Sequence, residues 1–109
     1  MELKLVNLCN HPITIRDFNG KFWDIPPVNE KEPARVISDY QPIIYFGSIA
    51  VYRRLVYSTE CLPPPTEGTI YIVSRIVAEA NRHRKDLLIP GAQGYDANGN
   101  KYCSGLEVL

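Results

Sequence analysis

The chain carries no excess of charge of either sign, because 12 basic residues balance 12 acidic residues among its 109. A protein that binds the phosphates of a long nucleic acid, or an anionic membrane surface, usually has a basic excess. The balance therefore argues against both partners, and we expect neither a long nucleic acid nor a membrane to bind this chain.

Long hydrophobic runs are also missing. No apolar stretch approaches the roughly 20 residues that cross a bilayer as a helix, and the start MELKLVNL lacks the apolar segment of a signal peptide. Hydrophobic residues still make up 45% of the sequence and charged residues 22%, which favours a packed core over disorder. A chain of this length fits one folded unit, so we predict a single cytoplasmic domain over residues 1–109.

Metal ligands and disulfide partners are scarce. Cys9, Cys61 and Cys103 are odd in number and widely separated, unlike the even and dense set of a disulfide-stabilised protein. A zinc tetrahedron that adds Cys61 and Cys103 to the pair Cys9 and His11 is the alternative, but structural zinc sites normally take their ligands as closely spaced pairs. We therefore predict reduced thiols, no metal and no cofactor.

The sequence also lacks a complete catalytic set. No glycine-rich loop precedes a helix, so neither a P-loop nor a dinucleotide-binding fingerprint is present. Cys9 and His11 point to the same side if the segment is extended, but no third residue that would orient the histidine can be named. We predict no catalytic residues and favour a non-enzymatic protein. A small hydrolase or nucleotide-modifying enzyme that uses Cys9 and His11 is the alternative.

Short β-strands separated by turns dominate what is present. Asn19-Gly20 and Asn98-Gly99 each lie between strand-like segments, and Asn-Gly is a strong hairpin signal because both turn positions need a positive φ. Ile49–Tyr57 is apolar on both of its alternating faces, which predicts a central strand. Leu87–Ile89 predicts a short strand that ends at Pro90-Gly91.

One helix is predicted, over about residues 74–83. Ser74 follows the strand-like segment Thr69–Val73 and suits an N-cap, while Arg75 and Glu79 are spaced for an i,i+4 ion pair. Together these signals predict an α+β fold that is β-dominated, with mostly antiparallel short strands and hairpins and one helix. Three basic residues suit the negative C-terminal end of that helix: Arg82, Arg84 and Lys85.

Several motifs, taken in order, resemble those of a group of small uncharacterised proteins from tailed phages, prophages and bacterial genomes. The start Asn7–Ile13 is similar to an NLTPHPI-like start, with Cys9-Asn10 in place of Thr-Pro. Two later segments, GTIYIVSRIVAEA from Gly68 and RKDLLIPG from Arg84, match the same group. The resemblance leaves residues 28–57 largely uncovered. It implies a viral or mobile-element context, and hence the host cytoplasm, but no particular reaction.

Two pairs of neighbouring residues are candidate ligand contacts. Asn10 and His11 lie in a predicted turn, where polar side chains either cap the backbone or contact a ligand positioned by the sheet. Ser74 and Arg75 open the predicted helix, where Ser74 is either a plain N-cap or a hydrogen-bond donor to an anion.

Arginines and tyrosines supply the remaining candidates. Arg84 lies in a basic run, and three roles are open to it: it is solvated, it binds phosphate, or it pairs with Asp86. Arg53 and Arg54 face opposite sides of a predicted strand, and Arg54 is a further candidate phosphate contact. Four tyrosines on predicted strands either pack in a core or form a base-stacking surface: Tyr45, Tyr52, Tyr57 and Tyr71.

These features lead to one hypothesis and two alternatives. We predict a small, non-enzymatic, phage-type binding protein that forms a homo-oligomer and sequesters a small anionic ligand, such as a cyclic nucleotide or an ADP-ribose derivative. It would then be an anti-defence sponge for a nucleotide immune signal. The alternatives are a virion-accessory or protein-interaction module, which predicts an exposed apolar patch and no polar pocket, and the enzyme described above. The candidate ligand-binding residues are Asn10, His11, Arg54, Ser74, Arg75 and Arg84.

Overall fold

A computed structural model describes residues 3–109 as eight strands and one helix, arranged in two sheets. The elements are β1 (Lys4–Asn7), β2 (Ile13–Arg16), β3 (Phe22–Ile25), β4 (Arg35–Phe46), β5 (Ile49–Glu60), β6 (Thr69–Ile72), α1 (Arg75–Ala80), β7 (Leu87–Tyr95) and β8 (Lys101–Glu107).

Six strands form one mixed sheet in the order β1-β6-β7-β8-β2-β3. β1 and β7 both pair with β6 in parallel, as β2 does with β8, whereas the β2–β3 and β7–β8 pairs are antiparallel. A bridge between Asn7 and Pro27 joins the two outer edges at one point, so the sheet is partly closed. The β-dominated fold with antiparallel hairpins is confirmed. The parallel pairs carry no signal in the sequence because they join segments that no short turn connects.

The core consists of two clusters on opposite faces of β6. Tyr71 and Val73 belong to one cluster and Ile72, between them, belongs to the other, as the alternation of strand side chains requires. The first cluster lies under α1, which buries Val77 and Ala78. The second lies inside the partly closed sheet and contains three further buried residues: Ile13, Ile15 and Cys103.

The helix is shorter than the sequence pattern predicts. α1 has six residues and ends at Asn81, whose Nδ2 donates to the carbonyl oxygen of Val77 at 2.8 Å and to Oγ1 of Thr59 at 2.9 Å. The predicted end at residue 83 is therefore wrong. The Asn81 side chain hydrogen-bonds to a carbonyl oxygen of the helix and to a residue of the neighbouring strand β5, and so ends the helix. Arg82 and Arg84 lie beyond the helix. Within residues 3–109, no helix is long and apolar enough to cross a membrane.

Both Asn-Gly hairpins form, but with a different turn from the predicted one. Asp17 and Asp96 each accept the N–H of the glycine three positions on at 3.0 Å through the backbone carbonyl. Each also accepts two backbone N–H groups at 2.8–2.9 Å through Oδ1. Within these two turns, only Gly20 and Gly99 have a positive φ, of 81°. The expectation of two positive φ values is wrong, because the aspartate side chain stabilises a longer turn.

β7 continues through Pro90 instead of ending there. Its first residues pair with β6, and from Ile89 onward it pairs with β8. Pro90 lies just after this change of partner, where its missing N–H is tolerated. Gly91 permits a close approach of β7 to β8, since a Cβ atom there would lie 2.7 Å from the backbone oxygen of Ser104.

β4 and β5 form a two-stranded hairpin, which we call the arm (residues 35–60). The arm joins the core only at its base, where Val36 packs against the first cluster. The prediction that Ile49–Tyr57 is a central strand is wrong, because β5 pairs with β4 alone. The pattern identifies which residues share a face, but not what covers that face. The arm makes the molecule elongated: its radius of gyration is 16.6 Å, against about 13 Å for a compact domain of this length.

Candidate functional site

A buried asparagine shapes the turn that carries Asn10 and His11. Asn7 is fully buried, and its Nδ2 donates to the backbone oxygens of His11 and Ile25 at 2.9 Å each. Its Oδ1 accepts the N–H of Cys9 at 2.8 Å. These bonds hold the turn in place while Asn10 and His11 remain exposed. Asn7 is not among the residues predicted from the sequence, where its only signal is a polar residue at the end of an apolar strand.

Three of the six candidate residues, His11, Ser74 and Arg75, lie around one depression of about 570 Å³, which we call the His11 cleft. Their convergence follows from the parallel pairing of β1 with β6, because parallel strands end at the same edge of a sheet. The turn after β1 and the start of α1 after β6 are therefore neighbours. Other lining residues are Cys9, Gln93 and Glu107.

The charged groups of the His11 cleft are held loosely. Arg75 Nε donates to Glu79 Oε1 at 3.1 Å, and both side chains are largely exposed, so this predicted pair is confirmed. An exposed i,i+4 pair contributes only about 0.3–0.5 kcal/mol, so an anion can replace Glu79 at little cost. Ser74 occupies the N-cap position, but its side chain makes no cap hydrogen bond to the described helix. Glu107 supplies a negative charge to the cleft lining.

Arg84 does not join Arg75. Its guanidinium forms a bidentate pair with the Asp86 carboxylate, with both N–O distances 2.7 Å, and also donates to the backbone oxygen of Pro63 at 3.1 Å. The pair is largely buried, with side-chain exposures of 11% and 16%. This hydrogen-bonded pairing lowers the pKa of Asp86 and raises that of Arg84. The geometry therefore agrees with one of the three roles predicted for Arg84, its pairing with Asp86.

Arg54 lies on the arm, among other exposed residues. Its guanidinium carbon is 5.3 Å from the centre of the Tyr40 ring, and its Nε donates to Ser38 Oγ at 3.0 Å. Tyr52 packs edge-on against Tyr40. Of the four tyrosines considered, Tyr71 is buried in the core, whereas the other three are exposed on the arm.

Two of the three thiols lie in places that do not favour a nucleophile. Burial raises the pKa of the Cys9 thiol, and its hydrogen-bond acceptor is the backbone oxygen of Ile72 at 4.0 Å. His11 Nδ1 lies 2.9 Å from its neighbouring carbonyl, that of Pro12. Burial also raises the pKa of Cys103. Within residues 3–109, no three histidine, cysteine or carboxylate side chains gather into a metal site.

A larger, apolar groove of about 810 Å³ is lined by residues of β1, β2, β3 and β8 and of the turn between β2 and β3. Trp23 forms part of its wall and donates from its indole nitrogen to Asp17 Oδ2 at 2.9 Å. This hydrogen bond lowers the pKa of Asp17. Sequence analysis missed this groove because its walls come from strands that are distant along the chain. Its apolar lining includes Leu5, Ile15, Ile25 and Leu106.

The chain matches no protein-family model. No curated protein and no solved structure is significantly similar to it.

Proposed function

We propose that the chain is a non-enzymatic binding protein whose His11 cleft holds a small anionic, nucleotide-type ligand. The supporting observation is that His11, Ser74 and Arg75, from segments far apart in the sequence, line one cleft. The cleft volume of about 570 Å³ falls in the range of small-molecule sites, roughly 300–1,000 Å³.

Each residue would contribute a different interaction. The Arg75 guanidinium would bind a phosphate group bidentately in place of Glu79. The Ser74 hydroxyl would donate to a phosphate oxygen, and the exposed imidazole of His11 would stack on a base. In the phage context that the sequence motifs suggest, such binding would sequester a nucleotide immune signal of the host.

Calorimetric titration with cyclic di- and trinucleotides and ADP-ribose derivatives tests this proposal. We expect one of these ligands to bind, and the Arg75→Ala variant to bind it at least about tenfold more weakly, because a charge-assisted hydrogen bond contributes about 1.5–3 kcal/mol. Arg82→Ala is the matched control, since Arg82 is an exposed arginine outside the His11 cleft. The proposal is wrong if none of these ligands binds, or if Arg75→Ala binds as tightly as the wild type.

Glu107 provides a second test of ligand charge. Its carboxylate lines the same cleft and would repel a phosphate. We therefore expect Glu107→Gln to bind the anionic ligand more tightly than the wild type, by about threefold to tenfold, with a smaller gain at high salt. An unchanged or weaker affinity in titration calorimetry would contradict an anionic ligand in this cleft.

The exposed apolar residues of the arm favour a protein-interaction module as a second candidate function. The two functions are compatible, because the arm and the His11 cleft share no residue. Variants in the arm should therefore leave ligand affinity unchanged, whereas Arg75→Ala should leave protein association unchanged.

A further inference from the structure

The arm exposes many aromatic and apolar side chains. Five of its aromatic side chains are 57–66% exposed. If a whole aromatic side chain offers about 200 Å², these rings together expose about 600 Å², which is divided between the two faces of the arm. They are Tyr40, Tyr45, Phe46, Tyr52 and Tyr57.

One face of the arm is apolar near its tip, beside the Gly47-Ser48 turn. Phe46 pairs with Ile49 and Ile44 pairs with Val51 across the two strands, and side chains of directly paired residues share a face. Leu55 continues this face along β5, because alternate residues of a strand point to the same side. We call this surface the arm face (Ile44, Phe46, Ile49, Val51 and Leu55).

The arm face also carries one charge of each sign. Arg53 lies between Val51 and Leu55 in the alternation, and Asp39 pairs directly with Leu55. Both charged residues are exposed. The ion pairs among residues 3–109 are Arg35–Glu60, Arg75–Glu79 and Arg84–Asp86, so neither Asp39 nor Arg53 takes part in one.

We propose that the arm face packs against the arm face of a second copy of this chain, related by a two-fold axis. In such a contact, residue i of one chain meets residue j of the other, and the reverse holds as well. Asp39 of each chain then lies near Arg53 of its partner, which forms two reciprocal ion pairs beside the contact between the apolar tips.

The arm face offers apolar side chains and complementary charges to this partner. Ile44, Phe46 and Ile49 are 49–67% exposed, so they form the apolar part of the contact. The arm contains three arginines and two acidic residues, and the whole chain has a net charge of zero, so two copies do not repel each other strongly. The inference goes beyond the proposed function, because it holds whether or not the His11 cleft binds an anion.

The solution mass tests the contact. By size exclusion with light scattering at micromolar concentration, we expect the wild type to elute as a dimer, at twice its 12.4 kDa chain mass, or as a larger assembly of such dimers. Phe46→Asp places a charge at the apolar tip of the arm face, and we expect it to elute at 12.4 kDa with an unchanged circular dichroism spectrum. Val108→Asp is the control, because Val108 is also an exposed apolar residue but lies outside the arm; it should keep the wild-type mass.

A charge exchange tests the two-fold arrangement. Asp39→Arg alone and Arg53→Asp alone should each raise the dimer dissociation constant by about tenfold, because each places like charges opposite one another. The double variant should restore the wild-type value. A monomeric wild type, a Phe46→Asp variant that keeps the wild-type mass, or a double variant that stays weakened would overturn the proposal.

Discussion

The Arg84–Asp86 pair is a structural element that fastens the segment between α1 and β7. Arg84→Ala leaves the largely buried Asp86 carboxylate without its bidentate partner and the Pro63 carbonyl without a donor. We expect a loss of about 2–3 kcal/mol in the free energy of unfolding, measured by urea denaturation. Arg82→Ala removes an exposed arginine two positions away and should change that free energy by less than about 0.5 kcal/mol. Equal losses in the two variants would contradict this role.

The same pair predicts how stability depends on pH. Because pairing lowers the pKa of Asp86 in the folded state, its contribution is fully present above the unfolded pKa of an aspartate, about 3.9. The contribution is lost as pH falls through the lowered value. The difference in unfolding free energy between the wild type and Asp86→Asn should therefore be largest near neutral pH and shrink in acid. A difference that stays constant down to strongly acidic pH would contradict the prediction.

Asn7 should be the most sensitive polar residue of the sheet. Its replacement by alanine leaves two carbonyl oxygens and one N–H group without their partner. We expect Asn7→Ala to lower the free energy of unfolding by about 3 kcal/mol, while Asn10→Ala, in the exposed turn nearby, lowers it only slightly. Thermal unfolding of both variants provides the comparison, and a tolerant Asn7→Ala would show that water replaces these bonds.

The β7–β8 hairpin depends on close backbone contact at Gly91. A Cβ atom at this position would lie 2.7 Å from the Ser104 oxygen and 2.8 Å from the Gly105 oxygen, and backbone atoms cannot move away without separating the strands. We expect Gly91→Ala to cost about 2 kcal/mol of unfolding free energy. Gly94→Ala meets only the Tyr102 ring, which can rotate, so it should cost less. Chemical denaturation of both variants measures the difference.

Sequence patterns predicted elements that depend on local chemistry and missed those that depend on distant partners. Both Asn-Gly hairpins, the start of α1 at Arg75 and the Arg75–Glu79 pair are local features, and all are present. The parallel β1–β6 pair and the isolation of the arm are not local, since each depends on which segments meet in space. The continuation of β7 past Pro90 has the same cause, because β8 becomes its partner there.

The candidate site likewise depends on contacts between distant segments, which local sequence patterns do not predict. His11, Ser74 and Arg75 meet because two parallel strands end side by side. Arg84 pairs with Asp86 and does not join the other three residues. A basic run in the sequence is compatible both with a solvated Arg84 and with a paired one, so it could not predict which of the two occurs. Arg54 is separated from the others because β5 belongs to the arm.

The whole molecule should unfold at a temperature that depends on its concentration. If two arms pack together, mass action adds to the stability of the folded state. We therefore expect the Tm of the wild type to rise with protein concentration in scanning calorimetry. Phe46→Asp should show a flat dependence, and the same flat dependence in the wild type would show that association does not stabilise the fold.

The pairing of β2 with β8 also orders events during synthesis. It places Ile15 opposite Cys103, so the six-stranded sheet can be completed only when nearly the entire chain has left the ribosome. The arm, by contrast, needs only residues 35–60 and closes as a local hairpin on a microsecond timescale. The arm, with its exposed apolar side chains, can therefore form on a nascent chain before the core is complete. If two arms pack together as proposed, neighbouring ribosomes on one message would bring two arms close, and dimer formation would begin while translation continues.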